Sequence, residues 1–209
     1  MTPPRRSEQK LATRAQIRDA ARARFVEVGY EGTTIRDVAR AAGVSVGSVH
    51  VHFKDKRALL FACFYEGIRG AVAEIWATID RDAPLLDQLA RCGRVLYRAY
   101  AEHPELSRVM FRESLFPAPG EDDDNLEPFL VGVAELHRAA LARGELERLP
   151  QGGMLAARAF FAVYIAVLIA GLSGHLGPCD DADAAAERWA AELRDLVELQ
   201  LRGLGLRTS

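Results

Sequence analysis

The chain is poor in cysteine and in long uninterrupted apolar runs. Its three cysteines, Cys63, Cys92 and Cys179, are far apart and form no C-x-x-C pair. This spacing argues against a disulfide framework or a structural zinc site and is typical of a reduced, cytoplasmic protein. The longest apolar run, 159–172, is shorter than the roughly 20 residues that cross a bilayer, so we expect a buried helix and no membrane partner. The polar first ten residues predict no signal peptide.

Motifs that mark enzymes are also missing. The chain contains no Gly-x-Ser-x-Gly, no phosphate-binding glycine loop, no His-Glu-x-x-His and no paired carboxylates at a plausible helical site. The acidic stretch 121–124 lacks the central glycine and distal glutamate of a calcium loop, so we expect a solvated loop there. The sequence therefore predicts no enzymatic activity, no metal and no cofactor.

Charge is distributed unevenly along the 209 residues. Residues 1–57 hold 12 Lys and Arg against 6 Asp and Glu, whereas residues 58–209 hold 15 against 23. All three lysines lie in the first stretch. This pattern predicts an N-terminal module that meets a polyanion and a remainder that does not.

Helical periodicity runs through the chain, and alternating runs of strand length are missing. We therefore predict an all-α fold of about nine helices, with an N-terminal domain over 1–55 and a larger helical domain over 56–209. The predicted helices begin near Ser7, Thr34, Ser45, Asp55, Pro84, Pro104, Leu126, Met154 and Ala182. The first is expected to stop at Gly29, the fourth at about Asp82 and the sixth near Phe116.

Residues 33–56 predict two short helices joined by a tight turn at Gly43, since glycine enters positive φ at little cost. Thr34 can cap the first of these helices, and Asp37 three residues later completes a capping-box pattern. Small and apolar side chains, among them Val38 and Ala39, allow the two helices to cross closely. This layout is a helix-turn-helix, whose second helix enters the major groove of double-stranded DNA.

Residues 13–64 resemble the tetracycline-repressor (TetR) family. The resemblance rests on Phe25, Gly29 and Tyr30 at the end of the first helix, Thr33-Thr34, the Ala-Gly-Val-Ser of 42–45, and the Phe-Lys-Asp-Lys-Arg-Ala-Leu-Leu of 53–60. It implies a homodimeric transcriptional regulator, most often a repressor of a palindromic operator. The larger C-terminal part would then pair the subunits and bind a small-molecule effector.

The resemblance implies a set of DNA contacts. Those expected from it are Thr34, Arg36, Ser45, Val46, Gly47, Ser48, His50, His52 and Lys56. Lys56 stands in the first turn of a helix, where a cation opposes the helix dipole, so a phosphate there removes the conflict. A solvated surface lysine remains the alternative. The arm with Arg5, Arg6, Lys10 and Arg14 either adds DNA contacts or is a disordered tail.

His50 and His52 depart from the family pattern, which usually has tyrosines at these positions. We hypothesise that both imidazoles contact phosphates, so that DNA binding strengthens as pH falls through roughly 6.5. Packed or solvated histidines remain the alternative, and a His-x-His pair without further ligands does not predict a metal site.

Two sets of residues in the C-terminal part are functional candidates. An apolar pocket for a lipophilic or aromatic effector is predicted from Trp76, Cys92, Leu96, Tyr100, Met110, Phe111, Val133, His137 and Tyr164. A dimer interface is predicted from Phe160, Val167, Leu168, Trp189, Leu193, Leu196 and Val197, because a helix that is apolar all round must be covered all round. For each residue alone, an ordinary core position remains open.

Helix four joins the two predicted domains and contains Gly67 and Gly70. These glycines either weaken the helix where it pivots or accommodate close packing. A regulator without an effector, controlled by a protein partner or by its expression level, is the alternative function. It predicts a filled core and no ligand-dependent change in DNA affinity.

Overall fold

A computed structural model describes residues 6–114 and 126–205. These residues form nine α-helices and no strand, which confirms the predicted all-α fold. The helices are α1 (Arg6–Gly32), α2 (Ile35–Ala41), α3 (Val46–His52), α4 (Lys56–Thr78), α5 (Leu85–Ala101), α6 (Pro104–Ser114), α7 (Leu126–Ala142), α8 (Met154–Leu172) and α9 (Ala182–Arg202). A short 3-10 turn, Pro150–Gly153, precedes α8.

Among the described residues, two compact units can be distinguished. We call the unit of 6–67 and 105–114 the head and the unit of 68–104 and 126–205 the body. Helix α4 is continuous from one unit into the other, and the division falls between Gly67 and Ile68. The predicted boundary at residue 55 concerns function, and it stays a prediction.

The head is built on α1, against which α2 and α3 pack. Its core contains Ile17, Ala21, Phe25, Val38 and Val49, all nearly or completely buried. Gly29 has a φ of 79° inside α1, so the regular helix is interrupted at the position where the sequence predicts a stop. The next three residues resume the turn, which is why α1 extends to Gly32.

The body is centred on α5, which packs along α9, while α8 lies against α7 and α9. The predicted stripe of α5 is confirmed, since Leu85, Leu89, Cys92, Leu96 and Tyr100 are all buried. Pro84 begins this helix as predicted, because its fixed φ suits a helix start and its missing N–H is not needed there.

Two predictions, on the end of α4 and on the buried face of α7, are wrong, and two others concern residues that the structure does not describe. Helix α4 ends at Thr78, four residues before the predicted end. For α7 the sequence periodicity predicts a buried stripe of Leu126, Leu130, Val133, His137 and Leu141. In the structure the buried side is centred on Phe129, Val133 and Leu136, and Leu141 is exposed. The predicted end of α6 near Phe116 and the acidic loop 121–124 lie outside the described residues.

Helix α8 is apolar around its whole circumference, but the body covers only part of it. Phe160, Tyr164, Val167 and Leu168 face the interior, while an outer stripe remains accessible. The segment Pro150–Leu172 is long and apolar enough, by length and composition, to cross a membrane. An 18-residue stretch of it has a mean hydropathy of 2.2, and 44% of that stretch is buried within the protein. A core helix of a globular protein has the same composition.

Candidate functional site

Two side-chain caps define the short helices of the helix-turn-helix. At α2, the Thr34 hydroxyl accepts from the Asp37 amide at 3.2 Å, and the Asp37 carboxylate accepts from the Thr34 amide at 3.1 Å. The Thr34 hydroxyl also donates to the Asp37 carboxylate at 2.6 Å, and this bond, followed by the one from the Thr34 amide, lowers the pKa of the Asp37 carboxyl group. At α3, the Ser45 hydroxyl accepts from the Ser48 amide at 3.1 Å. The predicted capping box and the predicted helix starts are therefore confirmed.

The turn between α2 and α3 depends on Gly43, whose φ is 63°. An L-residue with a side chain is strained in this left-handed region, whereas glycine is not. The Val44 amide after the turn donates to the Ala39 carbonyl at 3.0 Å, which closes the end of α2. The angle between the two helices is thus set by one glycine and a short hydrogen bond.

Helix α1 supplies caps for the opposite ends of both helices. The Gln16 amide donates to the Ala42 carbonyl at the end of α2, at 2.8 Å. Arg14 donates to the His52 carbonyl at the end of α3, and its guanidinium lies 4.2 Å from the centre of the Phe53 ring. A cation at a helix C-terminus is favourable for the helix dipole. The sequence predicts Arg14 as part of a basic N-terminal arm. In the structure its side chain contacts the C-terminal end of α3.

The outward face of α3 carries the side chains that a major groove would meet. Val49 and Phe53 point into the head core, whereas Ser45, Val46, Gly47 and His50 are exposed. Thr34 and Arg36 of α2 are exposed as well, and Ser48 is half-buried. Val51, which is not among the predicted contacts, is 73% exposed on the same helix.

The two histidines differ in their surroundings. His50 is exposed, whereas His52 is half-buried and its Nδ1 atom has no hydrogen-bond partner. Burial, and then the positive charges of Lys10 and Arg14, lower the pKa of His52 below its usual 6.5. In the free protein His52 therefore becomes charged at a lower pH than the sequence analysis expected. Phosphate contacts by either histidine stay a prediction.

Lys56 has partners within the head. Its ammonium group donates to the Tyr30 carbonyl at 2.9 Å and lies 4.3 Å from the centre of the Tyr30 ring. This contact joins the start of α4 to the end of α1. It also offsets part of the unfavourable interaction between the Lys56 charge and the helix dipole, for which the sequence predicts a phosphate. A carbonyl and a ring leave further ammonium donors for an anion, so the DNA contact stays a prediction.

The end of α6 is joined to the same corner of the head by ion pairs. Arg57 donates to the Glu113 carbonyl at 2.9 Å, and its Nε lies 3.7 Å from the Glu113 carboxylate. Arg112 lies 3.2 Å from Glu31 at the end of α1. All four side chains are partly or fully solvent-accessible, so each pair contributes little on its own.

The predicted pocket residues are divided between the two units. Met110 and Phe111 lie in the head, and the other seven lie in the body. Seven of the nine are at least 90% buried, and Trp76 and Phe111 are partly exposed; the seven are Cys92, Leu96, Tyr100, Met110, Val133, His137 and Tyr164. Whether a ligand reaches them stays a prediction.

Aromatic rings in the body pack closely against one another. Tyr97 stacks on Tyr164 with ring centres 5.0 Å apart, and its hydroxyl donates to the Tyr164 carbonyl at 3.0 Å. Trp189 meets Tyr97 edge-on at 5.8 Å. Burial raises the pKa of both tyrosines, so the phenols stay protonated at any physiological pH. This cluster is a packed core in the described state.

His137 and the buried cysteines have the ordinary environment of core residues. The Nδ1 atom of His137 lies 2.9 Å from the Val133 carbonyl, one turn earlier in α7. Burial lowers the pKa of its imidazole, although the bond to Val133 acts in the opposite direction. Burial raises the pKa of the Cys63 and Cys92 thiols to about 12, so neither forms a reactive thiolate at neutral pH.

Most of the predicted interface residues are buried within one chain. Phe160, Val167, Leu168, Trp189, Leu193 and Val197 are at most 2% exposed within one chain, and only Leu196 of the predicted set reaches the surface. Their side chains take part in the packing among α5, α8 and α9, and their role in a dimer stays a prediction. The exposed apolar residues of α8 are Leu155, Ala162, Ala166 and Ile169, and those of α9 include Leu196 and Leu199.

A small charged cavity lies on the body surface, away from all the predicted pocket residues. Its lining consists of Glu74, Arg91, Arg94, Val95, Arg98, Asp183, Ala186 and Glu187. Arg94 pairs with Glu187 at 2.8 Å and Arg98 with Asp183 at 3.2 Å, so its charges largely neutralise one another. In the described ranges, no group of three or more His, Cys, Asp or Glu side chains is arranged to hold a metal ion.

Comparison with known proteins gives the same family for the head. Residues 17–63 match the family model of bacterial regulatory proteins of the tetR family. The HTH-type transcriptional repressor Rv1474c of Mycobacterium tuberculosis is 48% identical over 60 residues, which cover 28% of this chain and 32% of that protein. The HTH-type transcriptional repressor KstR2 of Rhodococcus jostii is 35% identical over 91 residues, covering 41% and 45%. The chain thus matches less than half the length of these two curated relatives.

A solved structure extends the likeness to the whole fold. Thermus thermophilus FadR, a TetR-family transcriptional repressor in complex with lauroyl-CoA, superposes with a TM-score of 0.74. The match covers 94% of this chain and 97% of FadR, at 24% sequence identity. It shows that body and head together have the fold of that repressor.

Proposed function

The chain belongs, through residues 17–63, to the tetR family of bacterial regulatory proteins, and we propose that it is a cytoplasmic transcriptional repressor. It binds a near-palindromic operator in double-stranded DNA as a homodimer, and a lipophilic or aromatic effector releases it. The observation that supports this best is the helix-turn-helix. Its α3 is capped at both ends, held against α1, and directed outward with the predicted base-facing residues accessible.

The first experiment is selection of bound duplexes from a random pool, followed by titration of the selected duplex against salt. We expect a palindromic consensus with half-sites about one helical turn, roughly 34 Å, apart or somewhat more. Affinity should fall steeply as salt rises, because phosphate contacts release counterions. Weak binding without a consensus would contradict a sequence-specific regulator.

Homodimer formation is supported by the uncovered stripe of α8. Leu155, Ala162, Ala166 and Ile169 follow one another at helical spacing along its outer side, and Ile169 is 43% exposed. Leu199 on α9 is 64% exposed. Such residues gain most from burial against an equally apolar surface, and a two-fold pairing of α8 and α9 supplies one.

The dimer is tested by sedimentation of Ile169→Glu alongside the wild type. A buried, unpaired carboxylate disfavours the pairing, so we expect the dissociation constant to rise at least about tenfold. Leu11→Glu, on the exposed side of α1 at 68% exposure, is the matched control and leaves it unchanged. Equal dimerisation of all three proteins would remove α8 from the interface.

An effector of acyl or aromatic character is supported by the aromatic content of the body and by the fold shared with FadR, whose structure contains lauroyl-CoA. The test adds lauroyl-CoA, free laurate and an aromatic panel to the complex with the selected duplex. Release of DNA by one of them, with saturation, identifies the class of effector.

The packed state of the same cluster favours a second candidate, a DNA-binding regulator without an effector. The Tyr97 and Tyr164 rings are stacked on each other, and both they and Trp189 are buried, as in an ordinary core. Under this alternative no member of the panel changes the DNA affinity or the thermal stability of the protein. Control would then lie in a protein partner or in expression level.

A further inference from the structure

The outward face of α3 combines one polar residue with two valines. Val46 and Val51 lie at its two edges, with Gly47 and His50 between them, because the helix turns about 100° per residue. Val49 lies on the opposite side and is completely buried. The two valines therefore cannot join the head core without turning the helix over.

Val51 is the most exposed large apolar side chain in the described part of the chain, at 73%, and Val46 is 37% exposed. Single exposed apolar residues are common on protein surfaces. This one, however, belongs to a helix of only seven residues that is capped at both ends, by Ser45 and by Arg14. A β-branched residue also lowers helix propensity, so it is a poor choice for an exposed helical position without a partner.

We propose that Val51 reads the 5-methyl group of a thymine in each operator half-site. The inference rests on the proposed function and adds the base that one position of the operator must contain. Among the four bases only thymine places a methyl group in the major groove, and apolar side chains recognise it by contact. A valine has no donor or acceptor, so it cannot distinguish the other base edges.

The side chain of Val51 is suited to this contact for a second reason. Branching at Cβ restricts χ1, so its two methyl groups occupy one main orientation and lose little conformational freedom on binding. His50, one residue earlier on the same face, has ring nitrogens that can donate or accept. The two neighbouring positions thus offer different chemistry, apolar contact from Val51 and hydrogen bonding from His50.

The experiment runs the random-duplex selection in parallel with wild type, Val51→Thr and Val51→Ala. Threonine keeps the shape and replaces one methyl group by a hydroxyl, whereas alanine removes both γ-methyl groups. We expect one thymine in each half-site to disappear from the consensus of Val51→Ala, whose shorter side chain no longer reaches the methyl group, and to weaken in Val51→Thr, which keeps one γ-methyl group; the other positions are retained. Val28→Thr, the same change at an exposed position of α1, is the control and keeps the wild-type consensus.

A second measurement identifies the methyl group itself. Deoxyuridine replaces that thymine in the selected duplex, which removes the methyl group and leaves every hydrogen-bonding atom in place. We expect the wild type to lose affinity about fourfold per half-site, the effect of one buried methyl group, and Val51→Ala to lose less than about 1.5-fold on the same scale.

The outcomes separate this proposal from the function on which it rests. A wild-type consensus that all variants share, or an equal loss on deoxyuridine in wild type and Val51→Ala, overturns the role of Val51 and leaves the repressor intact. A wild type without any consensus overturns both. Melting temperatures of the variants equal to that of the wild type confirm that an exposed position has been changed without loss of the fold.

Discussion

Most of the predicted DNA-contact residues of the head are exposed, whereas most of the predicted interface residues of the body are buried. In the head, Thr34, Arg36, Ser45, Val46, Gly47 and His50 are exposed, where a partner molecule can reach them. In the body, six of the seven predicted interface residues are at most 2% exposed. The residues predicted as functional from the sequence therefore lie mostly at the surface in the head, whereas those predicted for the interface lie mostly in the core of the body.

The two units differ in the sequence features that predict their functional residues. In the head, polar residues with a capping or turn role fixed the helix faces, so the remaining positions of α3 had to face outward. In the body, apolarity was the only signal, and apolarity marks what the chain itself buries. Leu193 and Leu199 belong to the same helix and have the same side chain, yet the first is fully buried and the second is 64% exposed.

The strongest test of this comparison replaces the largest buried side chain of the body. Trp189→Ala leaves a cavity between α8 and α9 and should lower the free energy of unfolding by about 3–5 kcal/mol. Urea denaturation at several protein concentrations measures it and separates a loss of folding from a loss of dimer. Leu11→Ala, on the head surface, should change stability by less than about 0.5 kcal/mol. A Trp189→Ala protein that only dissociates more easily, with unchanged protomer stability, would restore Trp189 to the interface.

Much of the fold was predictable because helix signals are local. Caps such as Thr34 and Ser45, breakers such as Gly43 and Pro84, and the stripe of α5 each act within a few residues of the chain. The contacts made by Arg14 were not predictable, because its partners His52 and Phe53 lie 38 and 39 positions later and a basic residue near the N-terminus has no local preference for them. The outer stripe of α8 was missed for a related reason: sequence shows that the helix is apolar all round but not which side its neighbours cover.

Arg14 provides a further test within the head, because its guanidinium group contacts the end of α3 in the same chain. Arg14→Gln removes the bond to the His52 carbonyl and the contact with the Phe53 ring, so we expect DNA affinity to fall about 5- to 30-fold, equivalent to about 1–2 kcal/mol. The salt dependence of binding should stay the same, because no phosphate contact is lost. Titration of the selected duplex at several salt concentrations gives both quantities.

Arg36→Gln is the matched control for this measurement. Arg36 is exposed on α2, at a position where the family resemblance implies a backbone contact. Its loss should reduce the slope of log affinity against log salt by about 0.9, the contribution of one phosphate. The same reduction in Arg14→Gln would place Arg14 on the DNA after all.

Glycines extend the comparison to the join between head and body. A Cβ atom built at Gly67 or Gly70 in α4 has no atom within 4 Å outside the helix backbone, so close packing does not explain either residue. Replacing each by alanine should raise the free energy of unfolding by about 1 kcal/mol through helix propensity. In α8, a Cβ atom at Gly171 would lie 2.3 Å from the Trp189 ring, so Gly171→Ala should destabilise the protein by about 1–3 kcal/mol. Urea denaturation of the three variants decides; destabilisation by Gly67→Ala would show that a neighbour covers α4 there.

The smallest effect concerns His137, a polar residue that the body buries. Burial lowers the pKa of its imidazole in the folded protein, while in the unfolded chain the pKa is near 6.5. As pH falls through 6.5 the unfolded chain takes up a proton that the folded chain resists, so the stability present above 6.5 is progressively lost. The loss is a fraction of the about 1.4 kcal/mol per pH unit that one full proton allows. The drop in the free energy of unfolding from pH 7.5 to 5.5 should therefore be larger in wild type than in His137→Gln, and His175→Gln, at an exposed histidine, should behave as wild type. An equal drop in all three proteins would mean that His137 takes up a proton as readily in the folded protein as in the unfolded chain. Its imidazole would then not be shielded from water by the core.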